Sequence, residues 1–202
     1  PVLLYHSVVN ETSSNEFNIF HFEKQISYLK KIGYKSVHFS EIKPHIKNQI
    51  ILTFDDGYKD NILNVLPILT KYGFKATCFI VSNHIGKNNL WDIKKKNYKK
   101  KELMNNYDIN EWISNGMLIG SHTHNHLDLT KLNIKEIKNE INFLKNFLEN
   151  TFSQKINEFC YPFGKVNLEA FKEVKCVYKN AVTTKRSRYI LHKHNNFLIP
   201  RV

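Results

Sequence analysis

Two short segments hold residue types that do hydrolytic chemistry. Thr53-Phe54-Asp55-Asp56-Gly57 places adjacent carboxylates where the apolar run Ile50-Ile51-Leu52 gives out and a strand is predicted to end. Neighbouring carboxylates repel and each loses hydration on burial, so a cation or a proton is needed to relieve them. Successive residues leaving a strand point in different directions. One carboxylate can therefore bind a metal while its neighbour faces a water, and Gly57 lets the chain turn sharply. A plain Asp-Asp-Gly turn with a helix cap would use the same residues. The second segment, Gly120-Ser121-His122-Thr123-His124-Asn125-His126, follows the short apolar run from Met117 to Ile119. The spacing of His122 and His126 puts them on one face if the segment is helical, and imidazoles on one face are good ligands for a divalent transition metal. His124 is expected to point elsewhere; a histidine-rich surface loop is the blander account. Together the segments supply one carboxylate and two imidazoles, the donor set of a catalytic zinc-type site with an open position. Asp55 is then left to take a proton from water.

Both segments need strand ends to stand on. Strands are predicted at Leu3 to Tyr5, Gln49 to Phe54, Ala76 to Val81, Met117 to Gly120, Glu158 to Tyr161 and Ala181 to Thr184, with a further apolar run at Leu198-Ile199-Pro200-Arg201-Val202. Between them, helical spacing runs over Phe20 to Ile32, closed by Gly33; over Lys59 to Tyr72, with Leu63, Leu66 and Leu69 inward and a kink at Pro67; over Glu102 to Asn115; over Ile134 to Leu148, with Ile137, Ile141, Leu144 and Leu148 on one face; and over Asn167 to Val174. Lys94 to Lys101, with six lysines, reads as a solvated loop or the entry to a helix. Short buried strands alternating with helices predict an α/β fold on a parallel sheet, an incomplete or distorted barrel, with chemistry at the C-terminal strand ends.

The 202 residues suit a single domain, 42% hydrophobic and 24% charged, which excludes wholesale disorder; no apolar run approaches a membrane span. Cys78, Cys160 and Cys176 are too few and too scattered for a disulfide framework or a four-thiolate zinc site. No nucleophile elbow is present, and a small buried thiol is the simple account of Cys160. The formal charge of +12 favours an anionic partner. Its arginines are only Arg186, Arg188 and Arg201, and the lysines are spread along the chain, so no nucleic-acid partner is expected. The chain opens at Pro1 without a methionine and closes in an apolar run. Residues 1–202 are therefore expected to be one catalytic domain cut from a longer precursor, and the lack of a signal pattern says nothing of compartment.

The Thr-Phe-Asp-Asp-Gly string at 53–57 followed by His-Thr-x-x-His at 122–126 resembles, in order and separation, the first two motifs of the polysaccharide deacetylases, carbohydrate esterase family four. Cys160-Tyr161-Pro162-Phe163-Gly164 is similar to the family's third motif, and Leu198 to Arg201 to the end of its domain. The resemblance implies a single-domain distorted (β/α) barrel that hydrolyses the acetamide of an amino sugar in a polysaccharide (a poly-N-acetylglucosamine, peptidoglycan or chitin-like polymer) and releases acetate. It makes Asp55 the general base. Asp56, His122 and His126 become ligands of a divalent metal, Zn²⁺ first, with Co²⁺, Ni²⁺ or Mn²⁺ as alternatives. Tyr161, Pro162, Phe163 and Gly164 become the substrate groove, with an oxyanion-binding N–H near Phe163. The general acid of the family is a histidine in a Leu-x-His motif. Here Leu4-Tyr5-His6 matches it at the N-terminus, as in a circularly permuted subgroup, which points to His6 ahead of His192 or His194.

Two departures stand out. The family's third motif begins with an arginine that orients the base; this chain lacks it there, and Lys185 or Arg201 is left to take its part. The fourth motif, with its acid and tryptophan, is not recognisable, so Trp91 and Trp112 are assigned to packing or sugar stacking, Trp112 to the core. The substrate class implies a location outside the cytoplasm, in the cell envelope or secreted, where the basic chain would associate with an anionic polymer or lipid; no specific protein partner is implied. An O-acetyl esterase acting on a polysaccharide, or a carbohydrate-binding homologue with little turnover, are the alternatives.

Overall fold

The structure is a computed structural model, and it describes residues 1–11, 16–94, 96, 98–191 and 193–202. Its strands among those residues are β1 (Val2–Tyr5), β2 (Ser7–Val9), β3 (Glu16–Asn18), β4 (Lys35–Ser36), β5 (Gln49–Phe54), β6 (Thr77–Ile80), β7 (Leu118–Ser121), β8 (Glu158–Cys160), β9 (Asn180–Arg186) and β10 (Ile199–Arg201). The helices are α1 (Ile19–Lys31), α2 (Leu66–Tyr72), α3 (Asn106–Ser114), α4 (Ile134–Lys138), α5 (Leu144–Phe152) and α6 (Leu168–Val177). The main sheet runs β1-β5-β6-β7-β8-β9-β10, all pairs parallel, with β4 added alongside β5. Two backbone bonds, Leu4 N–H to Val202 O and Val202 N–H to Val2 O, both 2.9 Å, carry the sheet round towards a barrel. This is the single-domain distorted (β/α) barrel that the sequence led us to expect.

Strand periodicity sorts the residues into two cores. Ile50, Leu52 and Phe54 of β5 face the helices and join a large cluster with Phe22 and Ile26 of α1, Leu69 of α2 and Trp112 of α3. Ile51 faces the other way, into a smaller cluster with Val2, Phe79, Cys160, Val182 and Ile199. Those residues come from strands all round the sheet, so this cluster fills the barrel. With side chains alternating along a strand, Asp55 follows Ile51 and Thr53 inward, and Arg201 follows Ile199.

Several elements depart from expectation. Lys59 to Tyr72 is not one α-helix: Asn61–Val65 is a π-helix, α2 starts at Leu66 with Pro67 in its first turn, and Leu63 is 64% exposed instead of inward. The stretch from Ile134 is likewise interrupted by a π-helix at Asn139–Phe143, yet Ile137, Ile141, Leu144 and Leu148 are all buried. The helix expected from Glu102 starts only at Asn106, because Asn105 and Asp108 form a reciprocal N-terminal cap, while Leu103 and Glu102 pair with Tyr58 and Asn88. The small sheet β2–β3 was not foreseen. In the lysine stretch, Lys94, Lys99 and Lys100 are exposed as expected, and Lys95 lies outside the described residues. Lys101 turns inward, paired with Glu16 and donating to Ser7.

Candidate active site

Asp55 leaves β5 with its backbone N–H bonded to Tyr5 O and its carboxylate 2% exposed inside the barrel mouth. Arg201 grips it with both arms of the guanidinium, Nη1 to Oδ1 at 2.7 Å and Nη2 to Oδ2 at 2.6 Å. Burial pushes the Asp55 carboxyl up, and the Arg201 charge and hydrogen bonds outweigh it, so the group stays below its ordinary value. Of the two residues left to replace the family arginine, β10 brings Arg201, while Lys185 is exposed. Strand alternation explains the choice: Val182 faces the barrel interior, which turns Lys185 outward.

Asp56 has φ +75° and Gly57 φ +77°. This left-handed pair turns the chain at once and sends the two carboxylates apart. Asp56 Oδ1 lies 3.3 Å from His122 Nε2 and 3.3 Å from His126 Nε2. The pair does not meet through a helical turn as expected. The segment after β7 is irregular, and Thr123 (φ +64°) and His126 (φ +57°) are left-handed. Such backbone costs about 1–2 kcal/mol per residue outside glycine and concentrates at functional sites. His122 Nδ1 sits 2.8 Å from the Cys160 carbonyl. A carbonyl only accepts, so Nδ1 carries a proton, and Nε2, which faces Asp56, is the nitrogen left to ligate a metal.

The triad fits a metal. Two imidazole nitrogens and a buried carboxylate oxygen converge within 4.8 Å, and Asp56 Oδ1 has no hydrogen-bond donor among the described residues. Ligand atoms about 2.0–2.1 Å from one tetrahedral ion lie about 3.3–3.4 Å apart, which matches the observed spacing. Burial opposes ionisation of Asp56, yet the two imidazoles hold its carboxyl well below the usual range. Burial pushes His126 down, towards the neutral, metal-binding form. A second grouping, Asp55 with His122 and Cys160, is as tight, but the Arg201 guanidinium already occupies Asp55 and repels a cation there.

The triad opens into a cavity of about 350 Å³ whose lining includes Asp55, Asp56, His6, Trp91, Phe163 and Thr184. His6 follows β1, next to β5, and Asn61, with its amide nitrogen turned to the acceptors, donates to the His6 carbonyl at 3.1 Å. Of the alternatives to His6, His194 does not gather here. His194 bonds within its own loop, to Ile190, and His192 lies outside the described residues. His124 bonds Ser82 at 2.8 Å, away from the triad. Of the expected groove segment only Phe163, at φ +59°, reaches the cavity; Tyr161 is fully buried against Phe159, Pro162 is buried, and Gly164 is packed on Thr184. The reason is again alternation from β8, which sends Tyr161 into the helix-facing core. Trp112 is core, its Nε1 bonded to Leu118 O. Trp91 does more than pack: it stacks on His126 with centroids 4.6 Å apart and 28° between the planes, and Phe163 closes on the same imidazole edge-on at 4.8 Å. Nothing in the sequence tied Trp91 to His126, because no motif links them.

Comparison with known proteins agrees with this arrangement. A family model described as Polysaccharide deacetylase matches residues 42–179. YxkH of Bacillus subtilis strain 168, named for the same family, is 31% identical over 210 residues, covering 96% of this chain and 70% of its own. The poly-β-1,6-N-acetyl-D-glucosamine N-deacetylase of Staphylococcus aureus strain MRSA252 is 25% identical over 195 residues, covering 90% of this chain and 65% of its own. Among solved structures, a polysaccharide deacetylase from Bacillus cereus covers 100% of this chain and 63% of its own with TM-score 0.86 at 25% identity. The Streptococcus pyogenes deacetylase PplD, solved with acetate, covers 100% and 90% with TM-score 0.86 at 24% identity, a likeness of fold. The chain thus spans about two thirds of the length of these curated relatives.

Proposed function

Because the chain belongs to the polysaccharide deacetylase family, we propose that residues 1–202 form a metal-dependent catalytic domain that removes N-acetyl groups from the amino sugars of a polysaccharide. The observation that carries this reading is the donor-free meeting of Asp56, His122 and His126 at a cavity, with the Arg201-held Asp55 beside it. Asp56, His122 and His126 would hold the metal. When bound, a divalent ion, Zn²⁺ before Co²⁺, Ni²⁺ or Mn²⁺, supplies a Lewis acid and a more acidic water.

The chain's own residues do the rest. Asp55, kept ionised by Arg201, accepts a proton from the attacking water as the new C–O bond forms. A backbone N–H near Phe163 stabilises the oxyanion. His6 gives a proton to the sugar nitrogen as the C–N bond breaks, so acetate and a free amine leave. Phe163 and Trp91 shape the wall against which a sugar ring rests. The staphylococcal relative favours poly-β-1,6-N-acetylglucosamine as the polymer. Such a substrate belongs to the envelope or to secreted material, which sets the site of action outside the cytoplasm.

The deciding experiment measures acetate released from β-1,6-linked N-acetylglucosamine oligomers and from O-acetylated xylan, before and after chelation and with Zn²⁺ restored. Release from the N-acetylated oligomer, abolished by chelator and returned by metal, is expected. Release only from the O-acetylated glycan would make the protein an esterase, and release from neither, in protein that binds the glycan, would leave a binding homologue.

A further inference from the structure

The acceptor count at Asp55 assigns a part to a residue that the reaction does not otherwise use. Arg201 is 1% exposed and has five N–H donors. All five find acceptors: Nε reaches Thr183 O at 2.9 Å, Nη1 reaches Thr53 Oγ1 at 3.1 Å and Asp55 Oδ1, and Nη2 reaches Asp55 Oδ2 and Cys160 Sγ at 3.3 Å. The thiol, fully buried, accepts from Arg201 and in turn lies 3.3 Å from Asp55 Oδ2. Its other acceptor within reach, Tyr161 O, is 3.9 Å away. A thiol without special activation, with a pKa of about 8.5, carries its proton at neutral pH and can donate it.

A carboxylate has about four acceptor positions. The guanidinium takes one on each oxygen and the thiol takes the second on Oδ2, which leaves one, on Oδ1. We propose that Cys160 is a positioning residue for the base: its S–H donates to Asp55 Oδ2, locks the carboxylate against Arg201, and reserves the remaining lone pair of Oδ1 for the proton leaving the water. The part played by Oδ1 rests on the deacetylase reading; the S–H bond does not. The position opens the segment that resembles the family's third motif, where most of the family carries an arginine and this chain a cysteine. Here the arginine comes from β10 and the thiol fills the space between.

The test reads the bond directly. The infrared S–H band of Cys160 is the one missing from Cys160→Ala, and in the wild type it should lie below the band of the exposed Cys176. Asp55→Asn should move it upward, with or without metal. In kinetics on the N-acetylated oligomer, Cys160→Ala should lower kcat about 5-fold with KM and bound metal unchanged. Cys160→Ser, which restores a donor, should recover most of that loss. A Cys160 band that ignores Asp55→Asn, or a Cys160→Ala enzyme with wild-type kcat, would overturn the proposal. If the wild type releases no acetate at all, the deacetylase reading falls while the infrared measurement still decides the thiol bond.

Discussion

Asp55 and Asp56 are neighbours in sequence with opposite surroundings, and that difference separates their roles. Asp55 is clamped by fixed donors, while Asp56 turns towards His122 and His126 an oxygen, Oδ1, that no donor among the described residues reaches. Removing one member of a buried ion pair strands the other and costs about 3–5 kcal/mol. Arg201→Met should therefore lower the unfolding free energy by about that much at pH 7, read by urea denaturation. The sign with pH follows from Asp55 lying below its ordinary value. The stabilisation from the pair is complete above the unfolded carboxylate range and is lost as pH falls through the lower folded value. The gap between wild type and Arg201→Met should thus narrow in acid, and a gap unchanged down to pH 3 would mean that the pair contributes nothing through charge. Asp55→Asn should keep metal and lose about 10²–10⁴ in turnover. His126→Ala should lose the metal itself, by elemental analysis after dialysis; full activity in Asp55→Asn would remove Asp55 from the role of base.

At the scale of elements, what the sequence made legible was whatever depends on local pattern. β5 runs over Gln49–Phe54, as its apolar stretch predicts, and the two motifs run off the C-terminal ends of β5 and β7, with Asp55, Asp56, His122 and His126 just beyond them. The inward face of Lys59 to Tyr72 was misread because a π-turn takes about 4.4 residues instead of 3.6, so a leucine spaced for an α-helix is rotated off the face. The same kind of interruption spared Ile137 and Ile141, whose neighbours continued to meet the core. Arg201 could be named but not chosen over Lys185, since the choice depends on the register of β9 and β10, a long-range pairing that local spacing does not encode. β8 shows another effect of burial. Glu158 begins this strand, at the end remote from Cys160, and burial pushes its carboxyl up to about 7, more than its hydrogen bonds from Asn180 and Asn157 offset. A raised folded value contributes stability below the ordinary carboxylate value that is lost as pH rises through 7. Glu158→Gln, neutral throughout, should match the wild type near pH 4 and exceed it by on the order of 2–3 kcal/mol at pH 8, measured as thermal or urea stability. Equal stability at both pH values would show that the buried carboxyl ionises without cost.

Over the whole molecule, the parallel strands gather the C-terminal ends of β1, β5, β7 and β8 at one mouth. Residues as distant in sequence as His6, Asp55, His122 and Phe163 line a single cavity, and β10 delivers Arg201 to its floor. The net charge of +12 is not used up in that site. The cavity has lysines and carboxylates side by side, Lys99 and Lys101 both pairing with Glu16, while much of the remaining lysine is exposed. A charge spread in this way acts as a field over the surface rather than as a pocket, and the expectation is that it attracts anionic surfaces without specific contacts. Such attraction extends over a Debye length, about 10 Å at 0.1 M salt and about 3 Å at 1 M. Co-sedimentation with anionic vesicles or isolated walls should therefore fall several-fold between about 50 mM and 500 mM salt, while hydrolysis of a small neutral oligomer in the cavity should change far less. Adsorption that ignores salt would mean that the protein is held by specific contacts, and the lysines would then be a solvated surface with no part in locating the substrate.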